Sequence, residues 1–273
     1  MSTLTLDPPR RLADAAGVAH RALAFGLAIQ FALLAPSLLA LGLDDRLLNG
    51  INVWSKPIKF QLSLALLFGT LILLVPLAEP TRGIARACHV IAACATFEIG
   101  YITLQAARGR ASHYNDTTPV ETAMYALMGA VVVVLVIAIG WIGFRIWRSP
   151  PRPGGEGLRQ GAAFGLMLGA SLTLVTAGVL AQAPGHWVGA LAMEAATDAG
   201  GLPLFGWSRT GGDLRVPHFF ATHIMQALPL AGFAADRLAP GRAVAAVRFG
   251  VALALVTIAA TFAQAMAGRP FIG

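Results

Sequence analysis

Charge is what this sequence has least of. Asp, Glu, Lys and Arg make up 12% of its 273 residues, about half the share of an ordinary soluble domain. So few charges cannot cover the surface of a water-soluble fold of this length, and that class is excluded. Cysteine is nearly absent too. Cys88 and Cys94 fall in one apolar stretch, on different faces of a helix. They do not form a disulfide pair, and each reads as a small packing residue. Lysine occurs only at Lys56 and Lys59, and no basic run is interleaved with aromatics, so the formal charge of +7 does not point to nucleic acid.

What is present is hydrophobic length. The chain is 56% hydrophobic, with a mean hydropathy of +0.69. A helix needs roughly 20 apolar residues to cross a bilayer, and such stretches lie at 22–43, 60–78, 84–107, 122–147, 161–183, 218–237 and 243–265. The expected fold is all-α, a polytopic integral membrane bundle of seven transmembrane helices. The first stretch is too long for a signal-peptide core and ends without a small-x-small cleavage site, so it reads as a retained span. The fourth, with Val131 to Val134 and little polarity, reads as lipid-facing.

Basic residues assign the two faces. Arg10, Arg11, Arg21, Arg82, Arg86, Arg145, Arg148, Arg152, Arg159, Arg237, Arg242 and Arg248 fall on one side of the spans, and the eight others fall on the opposite side. The positive-inside bias places the N-terminus in the cytoplasm and the C-terminus outside. The expected organisation is a cytoplasmic N-terminal segment at 1–21 and a single seven-helix domain at 22–273, with a long external loop at 184–217. That loop suits a short interfacial helix followed by an aromatic segment over the bundle mouth. The implied location is the cytoplasmic (inner) membrane of a bacterium.

Nearly every polar motif falls at the external end. Trp54-Ser55-Lys56-Pro57-Ile58-Lys59-Phe60-Gln61 opens span two, and its lysines either snorkel to headgroups or line a pocket mouth as anion-holding cations. Glu98, Tyr101 and Gln105 share one face of span three. Glu98 lies within the hydrocarbon layer, where a carboxyl group is costly and faces the bundle interior. In Arg108 to Glu121, Thr118, Pro119 and Glu121 read as a helix start with a capping box. Arg108, Arg110, His113, Tyr114, Asn115 and Asp116 are left over as candidate ligand contacts.

The third motif, Asp213 to Gln226, carries Arg215, His218, His223 and Gln226. His218 and His223 are five residues apart, which is not the spacing of a metal pair on one helix face. His223 falls at about the depth of Glu98, which suggests a hydrogen-bonded pair able to relay protons, ligate a cation or anchor a substrate.

Together these give an external-facing pocket with Glu98 and His223 at its floor and basic residues at its mouth. It would bind a small, anionic ligand, or a metal or haem, and support proton-coupled chemistry. Glu98, His223 and His113 are the candidate catalytic groups. Lys56, Lys59, Tyr101, Gln105, Arg110, Asn115, Asp116, Arg215 and Gln226 are the candidate ligand contacts, and His113, His218 and His223 the candidate metal ligands. A cofactor, if there is one, is a haem or a transition metal. Whether the chain is an enzyme stays open. Two readings compete: a small-solute transporter or sensor with Glu98 as a protonatable gate, and a structural or assembly subunit of a membrane complex. The inner half of the spans has few ionisable groups, which favours a one-sided pocket over alternating access.

Overall fold

The computed structural model describes residues 8–151, 155–182, 185–189 and 197–273, with side chains from residue 14 onward in the first helix. Among these residues the chain is all-helical apart from short strands, with seven α-helices: α1 (Pro8–Leu43), α2 (Ser55–Leu74), α3 (Arg82–Ala107), α4 (Pro119–Arg148), α5 (Glu156–Gln182), α6 (Arg215–Leu238) and α7 (Ala243–Met266). All except α6 are long and apolar enough to cross a membrane, which makes the chain a multi-pass membrane protein. The side chains of Arg10 and Arg11, the residue Arg152, and 190–196, where part of an interfacial helix is expected, lie outside the described residues.

Side chains set the helix ends. The Thr81 hydroxyl accepts from Ile84 N at the start of α3, and that of Thr118 from Glu121 N at the start of α4. The Asp236 carboxylate accepts from Gly157 N at 2.8 Å and Leu158 N at 2.6 Å, placing an anion at the positive end of α5. Arg159 reaches back to the carbonyl oxygens that end α4, with Nη1 3.0 Å from Trp147 O.

α1 packs on α2 and α3, and the chain then continues as neighbours through α4, α5, α6 and α7. The most intimate contact, α5 on α6, has a cause in the spacing of glycines. Gly157, Gly161, Gly165 and Gly169 recur every fourth residue on one face of α5. A Cβ on Gly157 would stand 2.6 Å from the Gly232 carbonyl oxygen, and one on Gly161 would collide with the Leu228 backbone. Only a stripe without side chains lets the two backbones approach this closely.

α4 is not simply lipid-facing. Leu135, Val136, Ile139, Ile142 and Ile146 enter the largest buried apolar cluster together with Phe68, Ile91 and Leu166, while Val133, Val134 and Ile137 are exposed. An all-apolar helix gives no sequence signal as to which face packs.

At the end bearing the polar motifs the connections are structured. β1 (Leu47–Leu48) and β2 (Ile51–Asn52) form a hairpin whose turn residues, Asn49 and Gly50, both have positive φ. Asn-Gly is the pair such two-residue turns favour. β3 (Trp187–Val188) pairs with β4 (Gly212–Asp213) just ahead of α6. The hairpin docks on the long loop through Asn49 O, which accepts from Asp198 N at 2.8 Å and Thr197 Oγ1 at 3.0 Å.

Candidate functional site

The loop between α3 and α4 is built around Glu121. Its carboxylate accepts from Arg110 Nη2 at 2.7 Å, Thr117 Oγ1 at 2.6 Å and Gln105 Nε2 at 3.2 Å. Gln105 Nε2 also donates to Tyr101 Oη at 3.1 Å, and Arg108 Nη1 donates to Gln105 Oε1 at 2.8 Å. Asn115 closes the turn by donating to Ala111 O at 2.7 Å. Arg110, Gln105, Asn115 and Tyr101, expected as ligand contacts, are therefore engaged in folding this loop. Asp116 is exposed at its tip.

The same loop carries two rings inward. His113 packs at 6.0 Å from the Phe60 ring and 5.8 Å from that of Tyr125. Burial, together with the nearby Lys56 ammonium, pushes its pKa well below the usual histidine value, so the imidazole is neutral. Tyr114 adopts a left-handed backbone (φ +52°) and sends its hydroxyl to Leu180 O at 2.7 Å, bridging to the end of α5. Burial raises its pKa.

Arg215 is also committed. Its guanidinium stands 2.8 Å from Asp198 Oδ1 and 2.7 Å from Asp213 Oδ2, and Nη2 donates to Gly206 O at 2.7 Å. His186 Nε2 lies 3.2 Å from the same Asp198 oxygen. Burial alone would raise the Asp198 pKa, but the His186 hydrogen bond and the Arg215 charge outweigh it and hold it below the ordinary carboxylate value. Lys59 donates to Phe205 O at 3.1 Å. Phe205 stacks on Trp207 and meets Phe219 edge-on, so the lysine is tied to an aromatic cluster that Phe271 of the C-terminal segment also joins through Trp207. At the far side of the hairpin, hydrogen bonds from Arg46 and Trp54 hold the Asp44 carboxyl well below the usual range.

Glu98 differs from all of these. It is 5% exposed, and Oε1 has no hydrogen-bond partner among the described residues. The expected bond to His223 is not made: His223 Nδ1 donates to Phe219 O at 2.8 Å, and its ring stacks on Phe219 at 4.0 Å. α3 packs on α1, α2 and α4, whereas α6 packs on α5 and α7, so equal depth does not bring the two residues together. The charged group within electrostatic reach of Glu98 is Lys56, whose ammonium has no hydrogen-bond acceptor among the described residues and lies 5.9 Å from the Phe60 ring.

His218 Nδ1 is 3.1 Å from Thr176 Oγ1. The amide oxygen of Gln226 is buried without a partner among the described residues. Among the described residues no group of three or more His, Cys, Asp or Glu side chains is placed to hold a metal ion, and His113, His218 and His223 do not form one. Lys56 is thus the sequence-predicted residue within electrostatic reach of both Glu98 and His113, and His113 Nδ1 lies 3.1 Å from Ser112 Oγ. Tyr125, beside the His113 ring, and Asp198, paired with Arg215, join this region without being among the sequence-predicted residues. Their signal lies in tertiary placement, since a tyrosine at the start of an apolar helix reads as an interfacial ring.

No protein-family model, curated protein or solved structure matches this chain.

Proposed function

We propose that the chain crosses the membrane seven times, and that its polar end binds a small anionic ligand between Lys56, Glu98 and His113 with proton exchange at Glu98. The observation that carries this reading is Glu98 itself, a carboxyl 5% exposed with one oxygen unpartnered among the described residues, within electrostatic reach of the half-buried Lys56. A buried polar atom left unsatisfied costs about 1–3 kcal/mol. A ligand group that accepts from Lys56 and meets Glu98 offsets that cost. Neutral His113 supplies a third contact that adds no charge.

Seven crossings include α6. Its 24 residues extend about 36 Å, and its charged residues, Arg215, Asp236 and Arg237, fall near its two ends. The N-terminus is cytoplasmic and the C-terminus external, in the cytoplasmic membrane of a bacterium. Reporter fusions at Gly273 test this: alkaline phosphatase is expected to be active there and green fluorescent protein dark, and the reverse pattern overturns the orientation.

The ligand site is tested on the full chain in mild detergent, by thermal melts with inorganic phosphate, acetate or succinate added. At least one of these anions is expected to raise the melting temperature of the parent and of Lys59→Met, but not of Lys56→Met. The apparent affinity should change with pH in the parent and flatten in Glu98→Gln. No shift with any of these anions, or an undiminished shift in Lys56→Met, overturns the reading. A Soret band, or stoichiometric zinc, copper or iron in the purified protein, would replace the anion with a cofactor.

A further inference from the structure

At the end opposite Lys56, α1, the 3-10 turn Val75–Leu77 and the start of α3 surround a half-open groove of about 160 Å³. Ala16, Ala19, His20 and Leu23 form its α1 wall, at offsets of three, four and seven that share one helix face. The opposite wall includes Pro76 and Ile84. Two alanines in succession on that face, and a proline turn where α2 stops, leave the space unfilled. The lining is apolar apart from the His20 ring. The groove lies where the apolar segments begin: the candidate span of α1 starts at Asp14, and Ile84 is the third residue of α3. That is the level at which hydrocarbon gives way to headgroups.

The arginines around the groove are unspent. At the other end of the bundle Arg46, Arg108, Arg110 and Arg215 are committed to protein acceptors. Arg21, Arg82 and Arg86 are exposed and have no side-chain acceptor among the described residues. The carboxylates nearest the groove in sequence, Asp14 and Glu79, are exposed and pair with none of them among the described residues. Arg21 directly follows the groove residue His20, and its guanidinium lies back along α1, where a Cβ on Gly17 would stand 3.3 Å from Nη1. That direction is the one in which a snorkelling arginine reaches headgroups. Arg82 lies between the lining residues Pro80 and Ile84.

We propose that this groove is a site for one anionic phospholipid. Its glycerol and upper acyl segment would lie against the exposed Ala16 and Pro76, above the buried Ala19 and Ile84, and its phosphate would be met by Arg21 and Arg82 beside His20. A guanidinium fork suits a phosphate better than it suits the quaternary ammonium of a zwitterionic lipid. Burying even a short acyl segment adds affinity independent of charge. The site is separate from the ligand pocket and does not depend on it.

The test is native mass spectrometry of the full chain released from mild-detergent micelles, with phosphatidylglycerol or phosphatidylcholine of the same acyl composition added. The parent is expected to retain one phosphatidylglycerol with clear preference over phosphatidylcholine. Ala16 is exposed, so Ala16→Leu fills the groove without entering the core and is expected to weaken phosphatidylglycerol by about tenfold, or about 1.4 kcal/mol. Arg21→Gln with Arg82→Gln, both at exposed positions, is expected to abolish the preference while leaving the melting temperature unchanged. Equal binding of the two lipids by the parent, or undiminished phosphatidylglycerol binding by Ala16→Leu, overturns the proposal.

Discussion

Arg215 Nη1 stands 2.8 Å from Asp198 Oδ1, and through this pair the first turn of α6 holds the long loop down over the polar end of the bundle. Asp198 also meets His186, and Arg215 also meets Asp213, so the pair is the middle of a chain of four side chains. Arg215→Met leaves two carboxylates facing a site without a cation. Removing one partner from a buried pair costs about 3 kcal/mol. The expected result is a lower melting temperature in detergent, with Arg215→Lys falling between variant and parent because it keeps the charge but loses the fork.

The same network has a pH signature. The Asp198 pKa is lowered below its ordinary 3.8, so the unfolded chain binds the proton more readily than the folded one. The stability this contributes is fully present above about pH 4 and is lost as pH falls through the folded value. Thermal melts between pH 6 and pH 3 are expected to steepen at the acid end in the parent, with a shallower fall in Asp198→Asn.

His113 behaves alike in a higher window. Its pKa is depressed well below 6.5, so the folded state favours the neutral ring. Its contribution is complete above about pH 6.5 and declines as the unfolded chain takes up the proton below that. His113→Gln is expected to reduce the fall in melting temperature between pH 7 and pH 5, read as the difference between variant and parent. Equal slopes in the two proteins would mean that the ring titrates normally, neither desolvated nor beside the Lys56 charge.

Glu121 fastens the α3–α4 loop rather than a ligand, and Glu121→Ala tests this. The Thr118 cap, which uses the Glu121 backbone N–H, is kept, while Arg110, Thr117 and Gln105 lose their shared acceptor. Freed of its acceptor, Arg110 should become a faster site of tryptic cleavage in the folded protein, while anion binding at Lys56 is unchanged. If binding is lost but the loop stays protected, Glu121 is part of the ligand site.

On α5, Gly161→Val places a branched side chain against the Leu228 backbone. Overpacking of this kind costs about 1–3 kcal/mol. The same substitution at Gly178, where a Cβ would meet nothing within 4 Å, is expected to leave the melting temperature nearly unchanged.

These residues also mark what the sequence makes legible. Hydrophobic length gives the helices, and the Thr118–Glu121 spacing gives the start of α4, because both are set within a few residues of chain. The role of Arg110, Asn115 and Gln105 is hidden, since a polar loop that folds on itself has the same composition as one that binds a ligand. The Glu98–His223 pairing fails for a different reason. Counting residues along two helices gives depth, but which helices touch is decided elsewhere, here partly by the glycine stripe that draws α6 onto α5. Glu98 is readable because a buried carboxyl is costly wherever its helix packs.

The Asn49–Gly50 turn sets an order of assembly. Its partner hydroxyl, on Thr197, comes 148 residues later in the chain. Lys56, Glu98 and His113 are all synthesised well before that segment, so the first four helices can bring the three together while the end above them is still open. The long loop then arrives as a late closure, latched by Asn49 on one side and Arg215 on the other. A chain cut short before Thr197 would therefore contain the three site residues but lack the cover over them.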